Sequence, residues 1–206
     1  NFTTENMVTG PQTFVTYGAS WKYLDNGTNQ GTAWRATAFN DASWASGNAQ
    51  LGYGDGDEAT VVSYGPNANN KYTTTYFRKT ITVANASAFT SFTINIRRDD
   101  GAVVYINGTQ RFRTNMPSGN ISYTTKASSA AADEGNTAQT ITIPVGSLVN
   151  GVNTIAVEIH QRTANSTDIS FDLQLTGNGD VTPPSVASLT PADNSANIST
   201  NSNLTL

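Results

Sequence analysis

The sequence predicts an all-β chain, an antiparallel jelly-roll sandwich, and three observations carry that expectation. Apolar residues recur with a period of two rather than 3.6. Turn residues separate these runs at short intervals. Helical periodicity is almost absent from the 206 residues. Many short strands punctuated in this way fit a sandwich or barrel better than alternating strand and helix units.

The segment from Trp21 to Lys71 holds the three tryptophans and many glycines, with little alternation. It reads as long, ordered loops with a few short strands, and loops of that length in a compact domain serve function or capping. Tyr72 to Val83 is rich in β-branched and aromatic residues and reads as a long strand. Phe92, Ile94 and Ile96 then alternate with Thr93, Asn95 and Arg97. Asp100-Gly101 reads as a hairpin turn. Asn107-Gly108 is a stronger hairpin signal, because both central residues of a type I′ turn need positive φ. Ile141 and Ile143 mark a short strand. Ile155, Val157 and Ile159 alternate with Thr154, Ala156, Glu158 and His160, and Phe171, Leu173 and Leu175 with Asp172, Gln174 and Thr176. Each such run sends one row of side chains into a core and the other outward. After Gly177 the composition changes, and Thr182-Pro183-Pro184 has the character of a linker. The expected organisation is a sandwich over 1–177 and a linker with the start of a further domain over 178–206.

Composition narrows the function. Charged residues are 13% of the chain and the formal net charge is −4, which argues against a nucleic-acid partner. There are no cysteines, hence no disulfides and no thiolate chemistry. No apolar run approaches the roughly 20 residues of a membrane span. The abundance of Gly, Asn, Ser and Thr suggests a secreted or bacterial cell-surface location. The start at Asn1, without a charged and then apolar leader, reads as a mature or excised fragment.

Several stretches, taken in order, resemble one family. These are "GASWKYLDNGTNQGTAWRATAFNDASWASG", "QLGYGDGDEATVVSYG", "TTTYFRKTITV", "RRDDGAVVYINGTQRFRTNMP", "LVNGVNTIAVEIHQ" and "SFDLQL". They are similar to the galactose-binding-like jelly-roll modules of secreted bacterial multidomain proteins, over roughly residues 18 to 177. The tail "DVTPPSVASLTPADNSANISTNSNLTL" resembles the opening of a bacterial immunoglobulin-like domain. The resemblance implies carbohydrate binding beside other domains, without naming the sugar.

Within that frame, Asp99 is a ligand candidate, because carboxylates accept hydrogen bonds from sugar hydroxyls. Arg97, on the polar face of its strand, can donate to the same hydroxyls. Trp34 and Tyr53 flank Gly-rich loops and are expected to be exposed for stacking on sugar rings. Trp21 and Trp44 are expected in the core, and Tyr64 and Tyr105 are further aromatic candidates. His160 and Arg162 close a strand where loops gather. Asp55, Asp57 and Glu58 place three carboxylates within four residues, as oxygen ligands for a structural calcium ion; the alternative is a solvated acidic turn.

Nucleophile-elbow, zinc-protease and phosphate-loop motifs are missing, so no enzyme is expected. The leading expectation is a non-catalytic extracellular carbohydrate-binding module, stabilised by calcium. Its partners would be a polysaccharide or glycan and the neighbouring domains of the same polypeptide. The alternative is a structural or adhesive subunit that self-associates or packs on neighbouring domains without a sugar.

Overall fold

The computed structural model describes residues 10–179; the expected linker and immunoglobulin-like start lie almost wholly outside them. Two sheets are present. The first contains β1 (Pro11–Val15), β4 (Leu51–Tyr53), β5 (Thr60–Val61), β7 (Phe89–Asp99), β10 (Gln139–Pro144) and β12 (Ile169–Gly179). Its order is β10-β7-β12-β4-β5, with β1 sharing the β4 edge of β12 further along. The second contains β2 (Ser20–Leu24), β3 (Ala45–Asn48), β6 (Thr74–Val83), β8 (Gly101–Ile106), β9 (Thr109–Thr114) and β11 (Gly151–His160), in the order β3-β2-β6-β11-β8-β9. Every pairing is antiparallel except β4 with β5. No helix among the described residues is long and apolar enough to cross a membrane.

The period-two rows meet between the sheets. Phe92, Ile94 and Ile96 of β7 and Phe171, Leu173 and Leu175 of β12 face Phe77 of β6, Val104 of β8 and Ile155, Val157 and Ile159 of β11. Phe171 stacks on Phe77 with centroids 4.4 Å apart and meets Trp21 edge-on at 4.9 Å. Each such side chain contributes about 1.5–3 kcal/mol on burial, so this layer is the principal source of stability.

The outer face of the second sheet is also covered, which alternation alone does not predict. Trp34, Trp44, Tyr76, Val103, Tyr105 and Ala156 form a second apolar cluster, against which Phe39, Met116, Ile121 and Tyr123 pack. Consequently Asn153 to His160 of β11 are all buried. Arg78 holds the covering segment in place. Its Nε donates to Asp41 Oδ2 at 2.8 Å, its NH1 donates to the carbonyls of Trp34 and Ala36, and its guanidinium lies 5.2 Å over the Phe39 ring.

Two turns show what local chemistry does and does not determine. Asn107 (φ 51°) and Gly108 (φ 83°) join β8 to β9 with both residues left-handed, as the Asn-Gly signal requires. Asp100-Gly101 is not a hairpin turn. β7 belongs to the first sheet and β8 to the second, so the chain crosses the sandwich there.

Gly108→Ala forces a Cβ into the left-handed region, which costs roughly 1–2 kcal/mol. The expected outcome is an unfolding free energy lowered by that amount, read as a lower urea midpoint with an unchanged slope.

Candidate functional site

Four loops converge where β4, β7 and β11 end and β12 begins. The Asp100 carboxylate draws three of them together. Its Oδ1 accepts the Ala131 N–H at 3.1 Å, and its Oδ2 accepts the Arg162 N–H at 2.8 Å and the Ser166 hydroxyl at 3.3 Å. Asn115 Nδ2 donates to the Asp100 carbonyl at 2.8 Å. Lys71 fastens the same end by donating from Nζ to the carbonyls of Ser166 and Thr167. The loop after β4 passes so close to Asp168 that a Cβ on Gly54 would lie 2.6 Å from the Asp168 Cβ.

This packing gathers acids that are far apart in sequence. Carboxylate oxygens of Asp55, Glu134 and Asp168 lie within 4.8 Å of one another. Burial, then the neighbouring Asp168, Asp57 and Glu58, raise the Asp55 carboxyl to about 6. Burial, then Asp100 and Asp168, raise the Asp99 carboxyl to about 8. A contact with the Asp168 carboxyl is the main cause that raises Glu134. The Tyr53 hydroxyl is raised too, first by burial and then by Asp168, Asp100 and Asp99. Like charges this close disfavour ionisation, and Lys71 lies near enough to Asp168 to offset part of that charge.

The expected site residues fall in three places. Tyr53, Asp55, Asp99 and Arg162 belong to the acidic end. Tyr53 is not exposed: it is 5% accessible, its hydroxyl accepts from Gln161 Nε2, and its ring meets Tyr64 at 5.2 Å. Asp99 is 2% accessible, while the Arg162 side chain is exposed. Arg97 is exposed on the outer face of the first sheet, over the Tyr17 ring at 4.8 Å.

Trp34 and His160 lie instead under the covering layer of the second sheet. Trp34 is wholly buried, 4.8 Å from Tyr76 and 5.8 Å from Tyr105, so its Gly-rich surroundings do not expose it. His160 is likewise fully buried. Its Nδ1 lies 2.7 Å from the Thr125 carbonyl and 3.1 Å from Thr74 Oγ1, and its Nε2 lies 3.5 Å from Glu158 Oε2. Tyr105 donates its hydroxyl to Glu158 Oε1 at 2.6 Å, and Arg35 approaches the same oxygen at 3.5 Å. In these positions both Trp34 and His160 are shielded from a ligand in solution.

Asp55, Asp57 and Glu58 also lie within 4.8 Å of one another. Glu58, however, is engaged in closing its own turn: Oε1 accepts the Asp55 N–H at 2.9 Å and Oε2 the Gly56 N–H at 3.0 Å. Glu134 and Asp168 are missing from the sequence expectation. An acid pair beside glycine, Asp133-Glu134-Gly135, was the available signal for the first; the second precedes a strand with no local mark.

Comparison with known proteins reaches the fold. No family model matches the chain, and no curated protein matches it in sequence. Solved structures do. A glycoside hydrolase family 2 beta-glucuronidase matches with a TM-score of 0.53 at 16% identity, over 82% of this chain and 18% of that one. Bacteroides uniformis beta-glucuronidase matches with 0.53 at 17%, over 81% and 18%. A calcium-binding mutant of Bacteroides uniformis beta-glucuronidase 2 matches with 0.51 at 17%, over 81% and 18%. The chain is thus a β-sandwich similar in fold to a segment of glycosidases, and it spans less than a fifth of their length. The expectation that this chain is not an enzyme is corrected: all three neighbours are glycosidases, and the chain matches under a fifth of each.

Trp34→Ala opens a cavity in the outer cluster and is expected to cost about 3–5 kcal/mol. Chemical denaturation checks this, and a loss below about 1 kcal/mol would show that the indole is not a packing element.

Proposed function

We propose that this chain is a glycan-engaging β-sandwich domain of the galactose-binding-like jelly-roll type, working in a secreted or surface protein of the carbohydrate-active kind. The convergence of four loops on one acidic, partly exposed end carries this reading. Carboxylates there can accept from sugar hydroxyls, and Arg162 can donate to them. Tyr64, 38% accessible and held by Tyr53 and Lys71, offers a ring face for stacking. The fold shared with a segment of beta-glucuronidases supports a carbohydrate setting. Affinity per site would be modest and amplified by avidity between linked domains.

A second reading, packing against a neighbouring domain, draws on a different surface. Val145, Val149 and Val152 are 38%, 53% and 55% accessible around the start of β11, at the opposite end from His160. The two surfaces are separate, so both roles are compatible.

A glycan-array screen of the 206-residue chain tests the first reading. The expected outcome is binding to one polysaccharide class, weakened about tenfold by Tyr64→Ala or Arg162→Ala, a change of about 1.4 kcal/mol. Both side chains are exposed or partly so, and neither variant should unfold the domain. Silence across the array, with these variants folded and equally silent, overturns the reading.

A further inference from the structure

The acids at the loop end have the donor chemistry and spacing of a metal site that their sequence positions conceal. Asp55, Glu134 and Asp168 come from three different loops, yet one oxygen of each lies within 4.8 Å of the others. Oxygens bound to one calcium ion at about 2.4 Å stand at most about 4.8 Å apart. Magnesium, at about 2.1 Å, demands near-ideal octahedral geometry and gives up its waters reluctantly, which suits a set from three separate loops less well. Nitrogen and sulfur donors are absent from the group, which selects a hard cation over zinc or copper.

A second observation points to a ligand independently of the acids. The Ser170 hydroxyl, on a residue 1% accessible, has no hydrogen-bond partner among the described residues. Ser170 pairs with Asp99 across β12 and β7, so the two side chains share one face. The Ser170 Oγ lies directly beneath Gly135, the residue after Glu134. The Gln161 Oε1 is also buried without a partner, while its amide nitrogen donates to the Tyr53 hydroxyl that abuts the acids. Asp99, 2% accessible, lies close enough to Asp100, Asp168 and Glu134 to feel their charge. Buried oxygens without donors are rare in folded proteins and call for an ion or water.

Two nearby cations are engaged elsewhere. Lys71 Nζ is engaged by two carbonyls, although it lies close enough to feel Asp168. Arg98 reaches Asp133 at 3.9 Å and Thr114, on the other side of the corner.

We propose that Asp55, Glu134 and Asp168 bind one calcium ion, with Asp99 and the Ser170 hydroxyl backing the site. Asp168 and Asp99 form its buried wall. Asp55 and Glu134 form its exposed lip, where water completes the coordination. The ion clasps the loops after β4, before β10 and before β12. This set shares only Asp55 with the group expected from sequence. It does not depend on glycan binding, because its readout is calcium alone.

Calorimetric titration of the chelator-treated 206-residue chain with calcium chloride, paired with thermal melting, tests the assignment. The expected result is one equivalent of calcium bound and a raised Tm. Glu134→Gln, an exposed change that leaves the fold intact, should weaken binding at least tenfold. Asp168→Asn should abolish it, while Asp57→Asn should leave it unchanged. If Asp168→Asn fails to fold, Glu134→Gln against Asp57→Asn decides alone. Absence of calcium binding in the parent chain overturns the site. So does loss of binding in Asp57→Asn with retention in Glu134→Gln, which would place the ion in the turn after β4.

Discussion

The loop end is organised by one buried carboxylate. Asp100 sits where the chain leaves the first sheet for the second, and its two oxygens accept from Ala131, Arg162 and Ser166. Hydrogen bonds to a charged acceptor are roughly twice as strong as neutral ones, and a buried carboxylate left without them would be costly. The crossing therefore recruits whatever donors surround it. Those donors belong to the segments that carry Glu134 and Asp168, so the arrangement of the acids follows from satisfying Asp100. Gly54 contributes by omission, since a side chain there would strike Asp168.

A second constraint operates on the other face. The second sheet is buried on both sides over β8 and most of β11, and its outer residues include charged groups as well as aromatics. Arg78 and Glu158 are 2% and 1% accessible, and each is paired. Buried ion pairs of this kind give little net stability compared with apolar packing, but losing one partner is expensive. The pairs therefore pin the covering segment to one position on the sheet. The apolar cluster beneath supplies the favourable energy.

These features explain which expectations succeeded. Alternation correctly assigned Ile155, Val157 and Ile159 to the inter-sheet core and Glu158 and His160 to the opposite face. Alternation cannot say what lies over that opposite face, so the burial of His160 and Trp34 was not legible. Asn107-Gly108 declared its turn because the required φ is local. Asp100-Gly101 offers the same residue types, but neither residue adopts a positive φ, and β7 pairs with β12 rather than with β8. The acidic site was hidden for a related reason. Spacing favours neighbours such as Asp55, Asp57 and Glu58, whereas positions 55, 134 and 168 meet only after the sheets form.

The burial of the tryptophans has a spectroscopic consequence. Trp21 lies between the sheets at 1% accessibility, and Trp34 and Trp44 lie in the outer cluster at 0% and 5%. No indole reaches the acidic end, so tryptophan emission is a poor reporter of anything that docks there. It is instead a reporter of two separate apolar layers. With Trp21 as the sole tryptophan it follows the sandwich, and with only Trp34 and Trp44 retained it follows the cover. Whether the two signals vanish at one denaturant concentration or at two distinguishes a single cooperative unit from a sandwich that can shed its outer layer and persist.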